Sequence, residues 1–414
     1  MFTVTSNLVI RSLLVLAVAL PWTARAEVKL GNEVLAAGQF KVLQGKRVGL
    51  LTNPSGVNRQ LVSTIDVLRA APGVKLVALF GPEHGVYGAV GAGDTVADTT
   101  DTRTGLPAYS LYGKTFRPTP EMLAGLDALV YDLQDTGCRS YTFVSSMGVA
   151  MEACAEAGVE FVVLDRPDPL GGERIEGPLL EAKFRSHVGY WNVPYVYGLT
   201  CGELARMINS EGWIKKPCRL TVVPMKGWKR SMVWRDTDLP WVPSSPHVPN
   251  GDSALFQVAT GMLGELGSVS IGIGYTLPFE CIAIPGLDPH KFADQLNSYQ
   301  LPGVRFYPIT YKPNYFTFTN QVVGGVQIFF TDRAKAPLTA INFYGFEALK
   351  KVADRDLFVE AVKTKRGVGM FDKVNGTDTT RKALQAGTPA SEIVASWKTG
   401  DEAFRKARKK YLLY

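Results

Sequence analysis

Short, continuous apolar runs punctuate the chain. Arg47–Thr52, Lys75–Phe80, Ala108–Leu111, Ala128–Leu133 and Glu160–Leu164 carry the pattern of strands covered on both faces. Between several of them apolar positions recur at helical spacing, over Gln60–Ala70, Pro120–Leu126 and Ser146–Ala157. This alternation predicts an α/β protein with a Rossmann-like, mostly parallel, doubly wound sheet. A helix over Cys201–Glu211 and a strand over Leu220–Pro224 extend it. A Trp- and Pro-rich passage follows from Trp228, and Trp241–Asn250 reads as an ordered connector. Beyond it, strands at Val304–Pro308 and Val322–Phe330 alternate with helices near Lys291–Ser298, Ala340–Lys351 and Glu402–Tyr411. The pattern divides the chain into a Rossmann-like domain over residues 27–240 and a smaller α/β domain over 241–414.

Polar clusters close the strands of the first domain. Asn53-Pro54-Ser55-Gly56, Gly81-Pro82-Glu83-His84-Gly85, Gln134-Asp135-Thr136-Gly137-Cys138-Arg139 and Asp165-Arg166-Pro167-Asp168 each follow a strand. They therefore share the carboxyl edge of the sheet, where ligands of open parallel sheets bind. The glycines of residues 88–93 do not form the G-x-G-x-x-G turn between a strand and a helix, and no Walker motif occurs. A Rossmann-like sheet without a nucleotide is the better reading.

The first 26 residues stand apart. Arg11 precedes an apolar run of about ten residues, and Ala24-Arg25-Ala26 has the form of a cleavage site, the pattern of a secretory signal peptide. The run is too short to span a bilayer, and no later stretch is long and apolar enough. A protein exported to the periplasm or beyond is expected. Cleavage lowers the formal charge from +7 to +5, too mild to argue for nucleic acid. The five cysteines match no metal or disulfide framework, and the four histidines have no zinc spacing.

Glu83 is the leading candidate for chemistry. Flanking proline and glycines constrain the turn, so its carboxyl can be aimed and partly shielded, as a general acid requires. His84 can orient it or hold a substrate hydroxyl. Glycoside hydrolysis generally uses a second carboxyl group, for which Asp132, Asp135, Asp165 and Glu176 remain open, Asp135 being placed to face the rim. Arg139 and Arg166 follow strands and suit a carboxylate ligand, or equally a salt bridge to Asp135 or Asp165. Trp228, Trp234, Trp241, Tyr275 and Phe279 are candidate sugar-stacking aromatics. A hard cation held by Asp132, Asp135 and Asp165 is the rival chemistry.

Seven ordered stretches carry a resemblance: LTNPSGV (51–57), LFGPEHG (79–85), TGLPAYSLYG (104–113), LVYDLQDTGCRSYTF (129–143), VVLDRPDPLGG (162–172), EGPLL (176–180) and GLTCGELARMIN (198–209). The chain resembles the NamZ-like exo-β-N-acetylmuramidases (glycoside hydrolase family 171). The resemblance implies a cleft between the two domains and release of N-acetylmuramic acid from the non-reducing end of peptidoglycan fragments. It implies neither nucleotide nor metal, and a catalytic role for Glu83, with His84, Asp135 and Glu176 as further catalytic candidates. Asn53, Arg139, Asp165, Arg166, His247, Tyr275 and Glu280 become substrate-binding candidates, with Arg139 or Arg166 meeting the lactyl carboxylate. There are departures: His247 replaces an asparagine, Tyr197 a frequent histidine, and Gly272–Thr276 lacks an arginine. They bear on sugar identity and leave a wall-sugar binding protein without catalysis as the alternative.

Overall fold

The computed structural model describes residues 27–364 and 367–414, and the expected signal peptide lies outside the described residues. Seven strands form the larger sheet: β1 (Arg47–Thr52), β2 (Lys75–Gly81), β3 (Thr99–Thr100), β4 (Pro107–Ser110), β5 (Ala128–Asp132), β6 (Glu160–Leu164) and β7 (Leu220–Val223). Their order is β3-β4-β2-β1-β5-β6-β7. Every pairing is parallel except that of the short edge strand β3 with β4. The chain runs outward from β1 through β2 to β4, then restarts at β5 on the other side of β1. The topological switch point therefore falls between β1 and β5, where an open sheet of this kind leaves a crevice at its carboxyl edge.

Side chains alternate between the two faces. Val48, Leu50, Leu79, Val130 and Val162 pack with Leu35, Ile65 and Leu68 of helices α1 (Gly31–Ala37) and α2 (Thr64–Arg69). Leu51, Phe80, Leu129, Tyr131, Phe161 and Val163 point the other way. There they meet the short α3 (Pro120–Leu123), α4 (Phe143–Ala157) and α5 (Cys201–Ser210). Burial on both faces is why these strands read as unbroken apolar runs. All five cysteines are buried and unpaired.

After the connector, α6 (Ser253–Gly264) leads to an antiparallel three-stranded sheet of order β8-β10-β9: β8 (Cys281–Ile284), β9 (Val304–Tyr311) and β10 (Val323–Phe330). Helices α7 (Pro289–Ser298) and α8 (Leu338–Ala353) share its core. Phe279 packs against this core and against that of the larger sheet. Near the end of the chain, Phe404 and Tyr411 return to the larger sheet's core.

A buried ionic layer underlies the rim. Arg166 Nε lies 2.5 Å from Asp132 Oδ1 and Nη2 lies 3.0 Å from Oδ2, both side chains being almost fully buried. Asp132 Oδ2 also accepts from Thr64 Oγ1 at 2.5 Å, while Arg166 Nη2 donates to Val57 O. Asp165 takes Gly202 N–H and Thr200 Oγ1 at the start of α5, and Tyr414 OH as well; burial still pushes its carboxyl up to about 6. Asp168 Oδ1 accepts from Leu170 N–H, but its Oδ2 has no hydrogen-bond partner among the described residues. Burial, aided by the charge of Asp135, pushes the Asp168 carboxyl up to about 8.

Arg166→Met strands a buried carboxylate and is expected to cost about 3–5 kcal/mol in urea denaturation; a loss below 1 kcal/mol would show that Asp132 is solvated instead. A carboxyl raised by folding favours the protonated native state, so its contribution is present at acid pH and lost as pH rises through the folded value. The melting temperature should therefore fall between about pH 4 and pH 8 and level off above that, and Asp168→Asn, which cannot ionise, should flatten that decline.

Candidate active site

The turn after β2 is tight. A Cβ on Gly81 would lie 2.8 Å from Val86 N, so the chain can fold back on itself only with glycine there. His84 follows in the left-handed region (φ 73°), where a non-glycine residue is strained. Between them Glu83 is only 9% exposed. Its Oε1 accepts from Gly93 N–H at 3.0 Å and its Oε2 from Thr142 Oγ1 at 2.7 Å. One donor comes from the loop between β2 and β3, the other from the residue preceding α4. The carboxylate is thus fixed from two sides.

Asn53, after β1, donates through Nδ2 to Ser244 O at 2.8 Å, while its Oδ1 accepts from Ser55 N–H and Oγ–H. Tyr141 OH bonds Ser244 Oγ at 2.7 Å. Burial raises the Tyr141 hydroxyl, and the charges of Asp135 and Glu83 both add to the rise. Asp135 Oδ2 accepts from Gly137 N–H at 2.8 Å and from Tyr197 OH, and burial pushes its carboxyl up to about 6. Tyr197 therefore serves Asp135.

The connector links this rim to the smaller sheet. His247 Nε2 lies 3.2 Å from Tyr315 OH, with the two rings stacked at 6.0 Å. Asn314 N–H bonds Gly274 O at 2.8 Å, bringing the loop of Tyr275 alongside, and Tyr275 stacks on Tyr311 at 4.8 Å. Asn53, Glu83, His84 and Asp135 thus line the carboxyl edge, and His247 and Tyr275 stand on loops tied to it through Ser244 and Tyr315.

Five expected site residues are committed elsewhere. The Arg139 guanidinium is buried and donates to four backbone carbonyls, those of Pro178, Val193, Val374 and Asn375. Arg166 pairs with Asp132 rather than with Asp135 or Asp165. Both guanidiniums are turned inward, because each satisfies several buried acceptors that would otherwise be unpaired. Asp165 caps α5. Glu176 pairs with Arg174 and accepts Thr339 N–H at 2.8 Å in the first turn of α8, a favourable position for an acid. Glu280 meets Gln327 at 3.3 Å, its carboxyl raised by burial with Asp252 nearby. Trp228 and Trp234 are core residues. Asp132, Asp135 and Asp165 are bonded to donors, which is the reverse of a cation cage.

Sequence reasoning missed several neighbours. Thr142, Tyr141, Ser244 and Gly93 act through hydrogen bonds that no spacing announces. His187 packs against Phe116 (4.8 Å) and Tyr112 (5.5 Å), beyond the end of β4. Burial lowers its basicity while the Glu83 charge opposes that fall.

Residues 48–252 match the family described as exo-beta-N-acetylmuramidase NamZ, N-terminal, and residues 256–414 match its C-terminal counterpart. Over 390 residues the chain is 44% identical to the peptidoglycan beta-N-acetylmuramidase NamZ of Bacillus subtilis (strain 168), covering 94% of this chain and 92% of that protein. The crystal structure of a DUF1343 family protein from Bacteroides fragilis NCTC 9343 superposes with a TM-score of 0.89 at 49% identity, covering 94% of this chain and all of that one. A second such protein from the same organism gives 0.71 at 30% identity, covering 94% and 99%. The chain belongs to the NamZ exo-β-N-acetylmuramidase family.

Proposed function

We propose that the protein is an exported glycoside hydrolase that releases N-acetylmuramic acid from the non-reducing end of peptidoglycan fragments during wall turnover. The observation carrying this reading is Glu83: a nearly buried carboxyl at the carboxyl edge of the sheet, oriented by Gly93 N–H and Thr142 Oγ1. The 44% identity to a peptidoglycan beta-N-acetylmuramidase over 94% of the chain supports the substrate class.

In this reading Glu83 gives its proton to the glycosidic oxygen as the C1–O bond breaks, and water completes the hydrolysis at C1. Positive charge developing at C1 needs a partner on the opposite face of the sugar. Asp135 is held beneath the rim by Gly137 and Tyr197, which suits an anchor rather than a nucleophile. The sugar's own acetamido oxygen takes that role. Tyr275, at 37% exposure, offers a ring face to a sugar from the opposing loops.

General acid catalysis contributes about 10²–10⁴-fold, and matters most when the leaving oxygen is a poor one. Glu83→Gln is expected to lose at least about a hundredfold in kcat on N-acetylmuramic acid linked to N-acetylglucosamine. The loss on a nitrophenyl N-acetylmuramide, whose leaving group needs less help, should be smaller. Equal activity of variant and parent on the disaccharide would overturn the assignment.

A further inference from the structure

The crossover from β2 to β4 has no helix. Residues 82–106 fill it, and β3 is its only regular element. Within it Tyr87, Ala89, Gly91, Ala92, Gly93, Asp94 and Thr95 are exposed. Beneath this exposed segment Glu83 and His84 are buried, at 9% and 5% exposure. The flap therefore covers the carboxyl on which the proposed function depends, and its Gly93 N–H is one of the two donors holding that carboxyl.

At its near end the flap is anchored by Val86, buried in the sheet's core, and by Tyr87 OH, which bonds Asp101 Oδ1 at 2.6 Å. Val96 N–H bonds Tyr112 O at 2.8 Å at its far end. In its middle, His84 Nδ1 lies 2.8 Å from Val90 O, and Val90 N–H returns a longer bond of 3.4 Å to His84 O. A carbonyl oxygen only accepts, so Nδ1 carries the proton and the tautomer of His84 is fixed by this contact. Glycines flank Val90 at 88, 91 and 93, two of them at positive φ, so the segment has little stiffness of its own. The left-handed backbone at His84 (φ 73°) is a strained conformation in a non-glycine residue.

We propose that His84 is a positioning residue, the latch of a glycine-rich flap over residues 86–96 that delivers Gly93 N–H to Glu83. Latched, the flap fixes the carboxyl and shields it from water. Unlatched, it opens the approach to Glu83 for a sugar and withdraws one of the carboxyl's two donors. His84 acts at Val90 O, through the backbone of the flap, and does not touch the substrate. This inference rests on the reading of Glu83 as the reacting carboxyl.

The test separates latch from chemistry. His84→Gly removes the imidazole while suiting the positive φ, so the turn itself keeps its conformation. His84→Asn tolerates the same backbone and can present an N–H to Val90 O. Amide hydrogen exchange by mass spectrometry on the full chain should become at least about tenfold faster over residues 86–96 in His84→Gly, while β1 and β5 stay unchanged. In His84→Asn it should remain near the parent rate. On the disaccharide, kcat of His84→Gly should fall by up to about a hundredfold through misplacement of Glu83, with KM changed much less, and His84→Asn should recover most of it. Unchanged exchange in His84→Gly would overturn the latch. Faster exchange with unchanged kcat would overturn the link to Glu83. Glu83→Gln, which keeps an acceptor for Gly93, should exchange like the parent although inactive, so a failure of the functional assignment shows in activity and a failure of the latch shows in exchange.

Discussion

Loops after three strands of the larger sheet converge on one ion pair. Asp132 ends β5, Arg166 follows β6, and Arg166 also holds Val57 O in the loop after β1. Thr64, at the start of α2, adds a hydroxyl to the same carboxylate. Such a pair gives little net stability, because desolvating both charges offsets their attraction. What it gives is geometry, since each group must find the other or remain uncompensated in the interior. The switch-point loops therefore have one low-energy arrangement, and the polar side chains above them inherit it. Asn53 and Asp135, in the loops after β1 and β5, stand on a charged floor rather than a greasy one.

The larger sheet was legible because its strands are buried on both faces and short, and the order of polar clusters along the chain followed the strand ends. Less legible was α6. Ten of its twelve residues are buried, so its apolar positions go nearly all the way round and the helical period disappears. Strand β8 is only four residues long, too short for alternation to register. The α2 helix starts at Thr64 because the Ser63 side chain accepts Ile65 N–H, leaving Gln60–Val62 outside.

The candidate site divides along a similar line. Glu83 was singled out by its constrained turn, whose proline and glycines are local, although its partners Gly93 and Thr142 were not visible from type and spacing. The roles of Arg139, Arg166 and Glu176 were not visible either, because a charged group after a strand looks alike whether it faces solvent or folds back onto a carbonyl. Their partners are distant: Arg139 bonds Asn375, Glu176 bonds Thr339, and Arg166 bonds Asp132. Only the tertiary fold distinguishes a binding group from a structural one here.

Arg139 carries one more consequence. Two of its four carbonyl partners, Pro178 and Val193, belong to segments beside the larger sheet. The other two, Val374 and Asn375, end a helix whose Phe371 and Val374 sit in the smaller sheet's core. If one half melted alone, a guanidinium would be left in an apolar interior with half its acceptors gone, at a cost of several kcal/mol. The halves are thereby coupled in folding: neither reaches its full stability before the other has arrived, and partly folded species with only one sheet formed are depleted at equilibrium.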